Sequence, residues 1–419
     1  MKPNRPYNCA KCKGRTLDCG KSFCPILARS TSMFKVKDKI QNSMKQGEFF
    51  GSAPAPFVGR FGYPYVNVGI LSPPEHLDNA WLLDAPNYWA DNDYKIPQIV
   101  DCRSQLINSR FKQQINTFDS RFLELTQDVT LSKKPVDVEI KLKKDPYIQM
   151  TANPDVLPMG PTANLTKVDL ADNPRIPRKI DKITNDTDLL AADGLNYLFH
   201  RGFDENYLSE ILSVGTLGKK HNRKLVPTRW SITATDDTLC KSMLEKIRTY
   251  DNRTDYSAHF GGYLGNYYLI LFFPDIWSYE LFETYAGKSA WNPDGEIQTM
   301  TDFESYRGRT AYAENTVGGY YAARLAAAEK LFHMKRQGSV LCLRFITGEY
   351  AVPLGVWVVR EAARKALKTK PIFFSSKELM LNYARLKIRK RFNLNLDLLL
   401  QKSRLLKEQK QQSKLSQFV

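Results

Sequence analysis

The sequence predicts a mixed α+β protein with a small N-terminal zinc-binding module and a helical, basic C-terminal region. Strand-like apolar runs such as "GNYYLILFFP" alternate with helical periods such as "TVGGYYAARLAAAEKLFHMKRQG", and no fingerprint of a doubly wound sheet accompanies them. Four of the 7 cysteines fall near the N-terminus, whereas Lys and Arg accumulate towards the other end.

Length and composition indicate a chain that can bury a sizeable core. With 419 residues, 42% of them hydrophobic, we expect two domains or one large elaborated domain. The most apolar stretch, Tyr267 to Phe273, ends at Pro274 and is too short to span a bilayer, and no signal peptide opens the sequence. We therefore expect a globular cytoplasmic protein without a membrane partner.

The N-terminal cysteines have the spacing of a metal site. Cys9, Cys12, Cys19 and Cys24 are separated by two, six and four residues, and glycines between them allow tight turns. Four thiolates suit one structural Zn²⁺, in a module that we place at residues 1–28. An iron–sulfur cluster is the rival, because four cysteines in this order, the last followed by proline, also suit one. Zinc is favoured because nothing else in the sequence indicates redox chemistry.

Residues 29–250 are predicted to form an N-terminal α+β domain. "LARSTSMFKVKDKIQNSMKQ" begins with Ser and Thr caps and continues as a helix. "GSAPAPFVGRFGYPYVNVGILSPPEHL" carries turn residues around a short strand, and "PVDVEIKLKKDPYIQM" alternates as another strand. The Pro- and Asp-rich stretch 153–188 is predicted to be a long ordered loop or a surface linker.

Residues 251–400 are predicted to form a C-terminal α+β domain. "GNYYLILFFP" is typical of a buried strand. "TVGGYYAARLAAAEKLFHMKRQG" predicts a helix with Tyr321, Leu325, Ala328 and Phe332 on one face and a glycine-terminated end. "SVLCLRFITGEYAVPLGVWVVREAARKAL" then predicts one or two more strands and a further helix.

The end of the chain is predicted to be helical and then flexible. "NLDLLLQKSRLLKEQKQQ" has the apolar period of a helix with Leu398, Leu399, Leu405 and Leu406 directed inward. The period is lost as Lys and Gln take over, so residues 401–419 are predicted to be a flexible tail.

Net charge points to a polyanionic partner. The chain carries +17 overall, and residues 360–419 hold 16 Lys and Arg against 4 Asp and Glu, a net +12. Nucleic acid is the leading candidate for such an end, an anionic membrane surface is the runner-up, and a solvated charged face that binds nothing is the remaining alternative. The densest basic run is "ARLKIRKRF", which contains Arg385, Lys387, Arg389, Lys390 and Arg391.

Three further stretches place arginines beside aromatic and small residues. They are "VGRFGYP" with Arg60, "TRWSITATDD" with Arg229, and "ESYRGRTAYAENTVGGYYAAR" with Arg307 and Arg309. Cations and stacking rings suit a phosphate or the bases of a single strand. The alternative is that the tyrosines pack and the arginines cap helices or pair with acids.

The sequence identifies no catalytic residue. Walker-type loops, a dinucleotide GxGxxG, HExxH and GxSxG are all absent, and the five histidines show no paired ligand spacing. Asp236, Asp237, Glu304 and Glu314 are carboxylates that could bind magnesium for a nuclease reaction, although carboxylates this common are usually solvated. A nuclease or a phosphoryl or nucleotidyl transferase built on the arginine-rich pockets is therefore the alternative function, and a scaffold that binds only proteins is a third.

The last residues form an apolar turn on a basic tail. Gln412, Leu415, Phe418 and Val419 match the pattern of the PCNA-interacting peptide, in which one helical turn presents an apolar plug to the sliding clamp. Val419 stands where such peptides usually carry a second aromatic ring, so the plug is smaller.

The cysteine motif "CAKCKGRTLDCGKSFCPI", together with "FVGRFGYPYVNVG", "TRWSITATDD" and the clamp-binding pattern at the terminus, resembles the archaeal Nre family of DNA repair proteins. The resemblance covers essentially the whole chain in the same order. It implies an archaeal cytoplasmic protein that works in DNA repair and docks on PCNA, and it implies no particular catalytic mechanism. Together with the basic charge, it leads us to expect a nucleoid-associated protein that binds DNA.

Overall fold

The computed structural model describes residues 24, 34, 36–40, 42–44, 46–147, 160–287 and 296–411. The predicted zinc ligands Cys9, Cys12 and Cys19 and the clamp-binding residues 412–419 lie outside this described part. The chain divides into two compact units, Met1–Leu239 and Cys240–Val419, and their border falls inside one long helix.

The first unit is built on a mixed sheet. Its six described strands are β1 (Glu48–Ala53), β2 (Ala55–Val58), β3 (Tyr65–Ser72), β4 (Ile107–Gln114), β5 (Val136–Leu142) and β6 (Thr162–Leu170). They lie in the order β1-β5-β6-β4-β3-β2; β4 and β6 pair in parallel and the other described neighbours pair antiparallel. The alternation of "VDVEIKL" in β5 buries Val136, Val138, Ile140 and Leu142 as predicted.

Helices complete the first unit. They include α1 (Pro86–Asp91), α2 (Ile96–Ser104), α3 (Arg121–Leu131), α4 (Arg178–Asn185), α5 (Ala191–Phe199), α6 (Glu205–Ser213) and α7 (Thr228–Ile247), the helix that contains the border. α3 joins the core of the sheet through Val129, which packs with Ile107 and Val138. α4, α5 and α6 share a separate apolar cluster that includes Ile180 and Leu208.

The second unit is built on another mixed sheet. Its six described strands are β7 (Tyr256–Tyr263), β8 (Asn266–Phe273), β9 (Ser278–Tyr285), β10 (Gln298–Glu304), β11 (Ser339–Ile346) and β12 (Ile372–Phe374). Their order is β10-β9-β11-β8-β7-β12, with β9 and β11 parallel. Every residue of β11 is buried, which is typical of a central strand whose two faces are both covered.

Helices cover both faces of the second sheet. They are α8 (Val317–Met334), α9 (Trp357–Lys368), α10 (Lys377–Phe392), α11 (Asp397–Leu400) and α12 (Arg404–Gln411). α9 approaches β7 so closely that a Cβ on Gly261 would lie 2.8 Å from Cα of Ala366. On the opposite face, Met380 and Ile388 of α10 pack with Leu271 and Leu343. Mixed α+β architecture, as the sequence predicts, is therefore confirmed, and so is the helical basic end.

The prediction of a loop or linker over 153–188 is wrong for its described residues. β6 and α4 both lie within this stretch. Ala163, Leu165 and Val168 of β6 are buried between β4 and β5. Two of the described prolines of this stretch stand at element borders, since Pro161 precedes β6 and Pro177 is the N-cap of α4.

The prediction of one C-terminal helix is also wrong in part. The helix is broken into α11 and α12, and Leu398 is 55% exposed instead of directed inward. Leu399, Leu405 and Leu406 are buried as predicted. The break occurs because Ser403 starts a new helix, its Oγ accepting a hydrogen bond from the Leu406 N–H at 3.1 Å.

The end of α8 differs from the prediction as well. The helix stops at a left-handed Lys335 (φ 50°), before Gly338 is reached. Tyr321, Leu325 and Ala328 are buried as predicted.

Candidate nucleic-acid interface

The first unit brings two of the arginine-containing stretches together. "VGRFGYP" forms the turn between β2 and β3, and "TRWSITATDD" begins α7. The backbone N–H of Val58 donates to Oγ1 of Thr228 at 3.0 Å. The rings of Tyr63 and Trp230 have centroids 5.5 Å apart at an angle of 58°. The sequence identifies each stretch separately, but their contact depends on the tertiary fold.

The turn holds several large rings in solvent. Phe61 is 76% exposed, Tyr63 47% and Trp230 45%. Gly62 has φ +86°, and a Cβ there would lie 2.7 Å from the carbonyl oxygen of Tyr65, so glycine is required for this turn. Large exposed rings grouped on one surface indicate an interaction site, because isolated proteins rarely leave such groups in water.

Two arginines flank these rings. The guanidinium carbon of Arg60 lies 4.9 Å from the centroid of the Phe61 ring. Arg229 is exposed in the first turn of α7, and the described residues give its guanidinium no hydrogen-bond or ion-pair partner. We call Arg60, Phe61, Tyr63, Arg229 and Trp230 the β2–β3 cluster. Rings that can stack on bases beside cations that can bind phosphate are the two features of single-strand binding surfaces.

A second basic surface lies on α10. Arg389 and Lys390 are exposed near the end of the helix, and no described residue pairs with either side chain. Cations in a last turn also complement the helix dipole, so their positions stabilise the helix before any ligand binds. These two side chains are therefore available to phosphate.

The other three cations of the basic run are engaged within the second unit. Arg385 Nε lies 2.8 Å from Oδ1 of Asp397. The Lys387 ammonium stands 4.5 Å from the centroid of Phe260, and Arg391 stacks on Tyr267 at 4.9 Å.

The two arginines of the third stretch also differ in whether they are paired within the fold. Arg309 lies 3.2 Å from Oδ1 of Asp302 and donates to the carbonyl oxygens of Phe303 and Tyr312, each at 3.0 Å. Arg307 is exposed and has no partner among the described residues.

Two of the tyrosines and one of the acids of this stretch are used for packing, whereas Tyr306, Tyr312 and Glu314 are exposed. Tyr320 and Tyr321 are buried, so the alternative of packed rings applies to them. Glu304 is buried, accepts a hydrogen bond from Trp277 Nε1 at 3.0 Å and pairs with Arg324 at 2.6 Å.

Metal-binding groups are limited in the described residues. Of the four predicted zinc ligands, Cys24 is the one that the structure describes, and it is half-buried. No set of three or more His, Cys, Asp or Glu side chains is placed to hold an ion in the described part of the chain. Across the same residues, no helix combines the length and the apolar composition needed to cross a bilayer.

Sequence reasoning noted aromatic residues beside Arg60 and Arg229 but selected only the two arginines as site residues. A signal for the rings was present, because Phe61, Tyr63 and Trp230 stand beside glycine or arginine in turn-forming or helix-starting sequence, where no apolar period calls for them.

Comparison with known proteins places the chain in a family. The family model described as "Archaeal Nre, N-terminal" matches residues 18–292, and the one described as "Archaeal Nre, C-terminal" matches residues 304–418. No solved structure matches the chain.

Named relatives match over most of the chain. DNA repair protein NreB of Archaeoglobus fulgidus is 34% identical over 407 residues, which are 97% of this chain and 98% of that protein. DNA repair protein NreA of the same organism is 37% identical over 378 residues, 88% of this chain and 90% of the relative. DNA repair protein NreA of Haloferax volcanii is 36% identical over 340 residues, 79% and 81% of the two chains. The chain therefore belongs to the archaeal Nre family.

Proposed function

We propose that this chain is a DNA repair protein that binds DNA and is held at the PCNA sliding clamp by its last residues. The observation that carries DNA binding is the β2–β3 cluster, where two separate stretches meet to expose rings beside arginines. The names of the relatives, each called a DNA repair protein, support the role in repair. A cytoplasmic, nucleoid-associated location follows from such a role.

The basic helix α10 supplies a second contact with DNA. Arg389 and Lys390 bind phosphates without regard to base sequence, because they present charge and no shape that distinguishes bases. The β2–β3 cluster prefers unpaired bases, since stacking on Phe61 or Trp230 requires a ring that has left the duplex stack. The two surfaces together favour DNA with a single-stranded segment, as repair intermediates have.

The two ends of the chain carry the remaining parts of the proposal. Cys9, Cys12, Cys19 and Cys24 bind one structural zinc, because four clustered thiols in a reducing compartment suit a closed tetrahedral site. Gln412, Leu415, Phe418 and Val419 bind PCNA. Metal analysis of protein purified without chelators tests the zinc site: one zinc per chain supports it, whereas iron with sulfide, or no metal, contradicts it.

The test of the β2–β3 cluster uses fluorescence anisotropy with labelled single-stranded and duplex DNA. Phe61→Ala combined with Trp230→Ala is expected to weaken single-strand binding by about tenfold or more, because each base stacked on a ring is worth about 1–3 kcal/mol. Phe373→Ala is the matched control, since Phe373 is a 59% exposed ring outside the cluster. Equal affinity of the double variant and the wild type for single strands would contradict the proposal.

The same DNA panel tests the alternative enzymatic function. Incubation with and without magnesium, followed by separation of the products, reports any cleavage or nucleotide transfer. Magnesium-dependent turnover that Arg60→Gln or Arg229→Gln abolishes would favour an enzyme built on the arginines of the β2–β3 cluster.

A further inference from the structure

The first unit contains a cavity that sequence reasoning did not identify. Its volume is about 650 Å³, and it lies where Trp81 and the start of α1, the loop before β5, and the first turns of α4 and α6 meet. Small-molecule sites have volumes of about 300–1,000 Å³, so this cavity is large enough for a ligand. The described residues of the β2–β3 cluster do not line it, so the cavity is a separate site.

Positive charge dominates the rim of the cavity. Its exposed cations are Lys133, Lys134, Arg178, Lys179 and Arg201. Three carboxyl groups also line the cavity, but two of them are already engaged. Asp84 pairs with Arg103 at 2.8 Å, and Asp204 caps α6 by accepting hydrogen bonds from two backbone N–H groups. The excess of cations favours an anionic ligand.

The start of α4 adds to this field. Arg178 and Lys179 are the first two residues of that helix, where the helix dipole is positive and where acidic residues are normally preferred. Two cations at this position are electrostatically unfavourable on their own. An anion bound between them and the end of the helix removes the repulsion.

Two exposed rings, packed edge to face, line the cavity beside these cations. Trp81 and Tyr88 both line the cavity, each is 42% exposed, and their centroids are 5.0 Å apart at an angle of 88°. The chain between them is fixed by Trp89, a buried ring whose Nε1–H donates to the carbonyl oxygen of Leu82 at 2.9 Å. The exposed rings are therefore held in place rather than left to collapse onto the surface.

Glu210 provides a polar group on the inner wall. It is half-buried on α6, and its carboxyl group has no hydrogen-bond partner among the described residues. Burial and the nearby Asp84 and Asp204 raise the pKa of Glu210 well above its usual range, against the opposite effect of Arg103. The oxygens of this carboxyl group can accept hydrogen bonds from an amino group at the edge of a nucleobase.

We propose that this cavity binds a nucleoside phosphate, with the base against Trp81 and Tyr88 and the phosphate among the lysines and arginines of the rim. The chemistry that recognises it is stacking, one polar wall group and a surplus of cations. The same chemistry fits a free nucleotide and the terminal nucleotide of a DNA single strand, and the experiment distinguishes these two sources. This inference stands apart from the proposed role of the β2–β3 cluster.

The experiment is isothermal titration calorimetry of the full-length protein with dAMP, deoxyadenosine, inorganic phosphate and a short single-stranded oligonucleotide. Lys134→Ala combined with Lys179→Ala is expected to weaken dAMP binding by about tenfold or more, because the variant cannot form two charge-assisted hydrogen bonds to phosphate, and to leave deoxyadenosine unaffected. Trp81→Ala is expected to weaken both ligands. Lys182→Ala is the matched control, since Lys182 is an exposed lysine of α4 that does not line the cavity.

The outcomes separate the sources and the sites. Binding of dAMP that depends on Trp81 and on the two lysines identifies a free-nucleotide pocket. Binding of the oligonucleotide alone, with the same dependence and without change in Phe61→Ala, identifies a site for a strand end. No binding of any of the four probes, or binding that none of the cavity variants weakens, overturns the proposal.

Discussion

Oε2 of Glu280 on β9 lies 2.5 Å from Oγ of Ser403, the residue immediately before α12. The same carboxyl group also accepts hydrogen bonds from the backbone N–H groups of Arg404 at 2.9 Å and Leu405 at 3.1 Å. A single buried acid from the sheet therefore caps the last described helix. Glu280 therefore fixes the start of the last described helix, which precedes the proposed clamp-binding residues in sequence.

Replacement of this acid tests the cap. Glu280→Ala leaves one hydroxyl and two backbone N–H donors without their acceptor, so it is expected to lower the free energy of unfolding by about 1–3 kcal/mol. Glu280→Gln keeps one acceptor oxygen and the side-chain volume, so its free energy of unfolding should fall by less than that of Glu280→Ala. Urea unfolding measures both variants. An unchanged midpoint in Glu280→Ala would show that α12 does not depend on this contact.

A second buried acid, Glu304, is held by Arg324 at 2.6 Å, and the two side chains are at most 2% exposed. Arg324→Met leaves the carboxylate buried without its cation and is expected to cost about 3–5 kcal/mol. Adding Glu304→Gln removes that uncompensated charge while keeping an acceptor for Trp277 Nε1, so the double variant should recover part of the loss. Thermal unfolding of the wild type, both single variants and the double variant measures this coupling, and additive losses would contradict it.

Much of the fold is predictable because its apolar patterns are local. Strict alternation identifies β5, and the uninterrupted apolar run identifies β8 as a buried strand. β6 was not predicted as a strand, because its partner strands are distant in sequence and a proline lies just before it. The helix break at Ser403 was not predicted for a similar reason, since Glu280, which stabilises the start of α12, lies far away in sequence on β9.

The candidate site was predictable only in pieces. Composition identifies Arg60 and Arg229 as cations beside rings, but the contact of Tyr63 with Trp230 exists only in the folded unit. Pairing inside the fold also decides which cations remain available, as the difference between Arg309 and Arg307 shows. Neither kind of information is encoded in a local stretch of sequence.

Acid is expected to destabilise the second unit through His259. Burial, and to a smaller extent Lys330, lower the pKa of His259 to about 4, while its Nδ1 lies 3.1 Å from the carbonyl oxygen of Thr369. The pKa of His259 in the folded protein is below the unfolded value of about 6.5. The stability that the neutral, buried imidazole contributes is therefore present above pH 6.5 and is lost as the pH falls towards 4. Between pH 6.5 and 4, the free energy of unfolding of the wild type should fall by about 2–3 kcal/mol more than that of His259→Gln. Urea unfolding at each pH measures the difference. Parallel pH profiles would exclude His259 as the cause.

Phosphate binding by α10 is expected to come from its two unpaired cations. Arg389→Gln with Lys390→Gln should weaken binding to all DNA sequences alike and reduce the slope of log affinity against log salt by about 0.9 for each duplex phosphate that the variant no longer neutralises. Arg385→Gln with Lys387→Gln is the matched pair, and it should change the slope less because those side chains contact Asp397 and Phe260. A larger change of slope in Arg385→Gln with Lys387→Gln would show that those two side chains, and not Arg389 and Lys390, contact the phosphates.

Capture by the clamp is expected to depend on the apolar turn at the end of the chain. Leu415, Phe418 and Val419 recur at the spacing of one helical turn, so a short helix presents all three to one hydrophobic pocket, and the Gln412 amide is long enough to hydrogen-bond beside it. Lysines upstream of this turn favour approach to an acidic clamp surface, and tethering raises the local concentration of the folded units near DNA.

Leu415→Ala combined with Phe418→Ala is therefore expected to abolish capture of the full-length protein by immobilised PCNA, because both substitutions remove apolar area from the plug. Ser416→Ala with Gln417→Ala is the matched control, since these residues occupy the positions that the pattern leaves open. DNA affinity and urea unfolding of both variants should equal those of the wild type, because neither of the proposed DNA surfaces includes these residues. Undiminished capture of the first variant, or equal loss in the control, would exclude the proposed interaction and leave the apolar turn without an assigned partner.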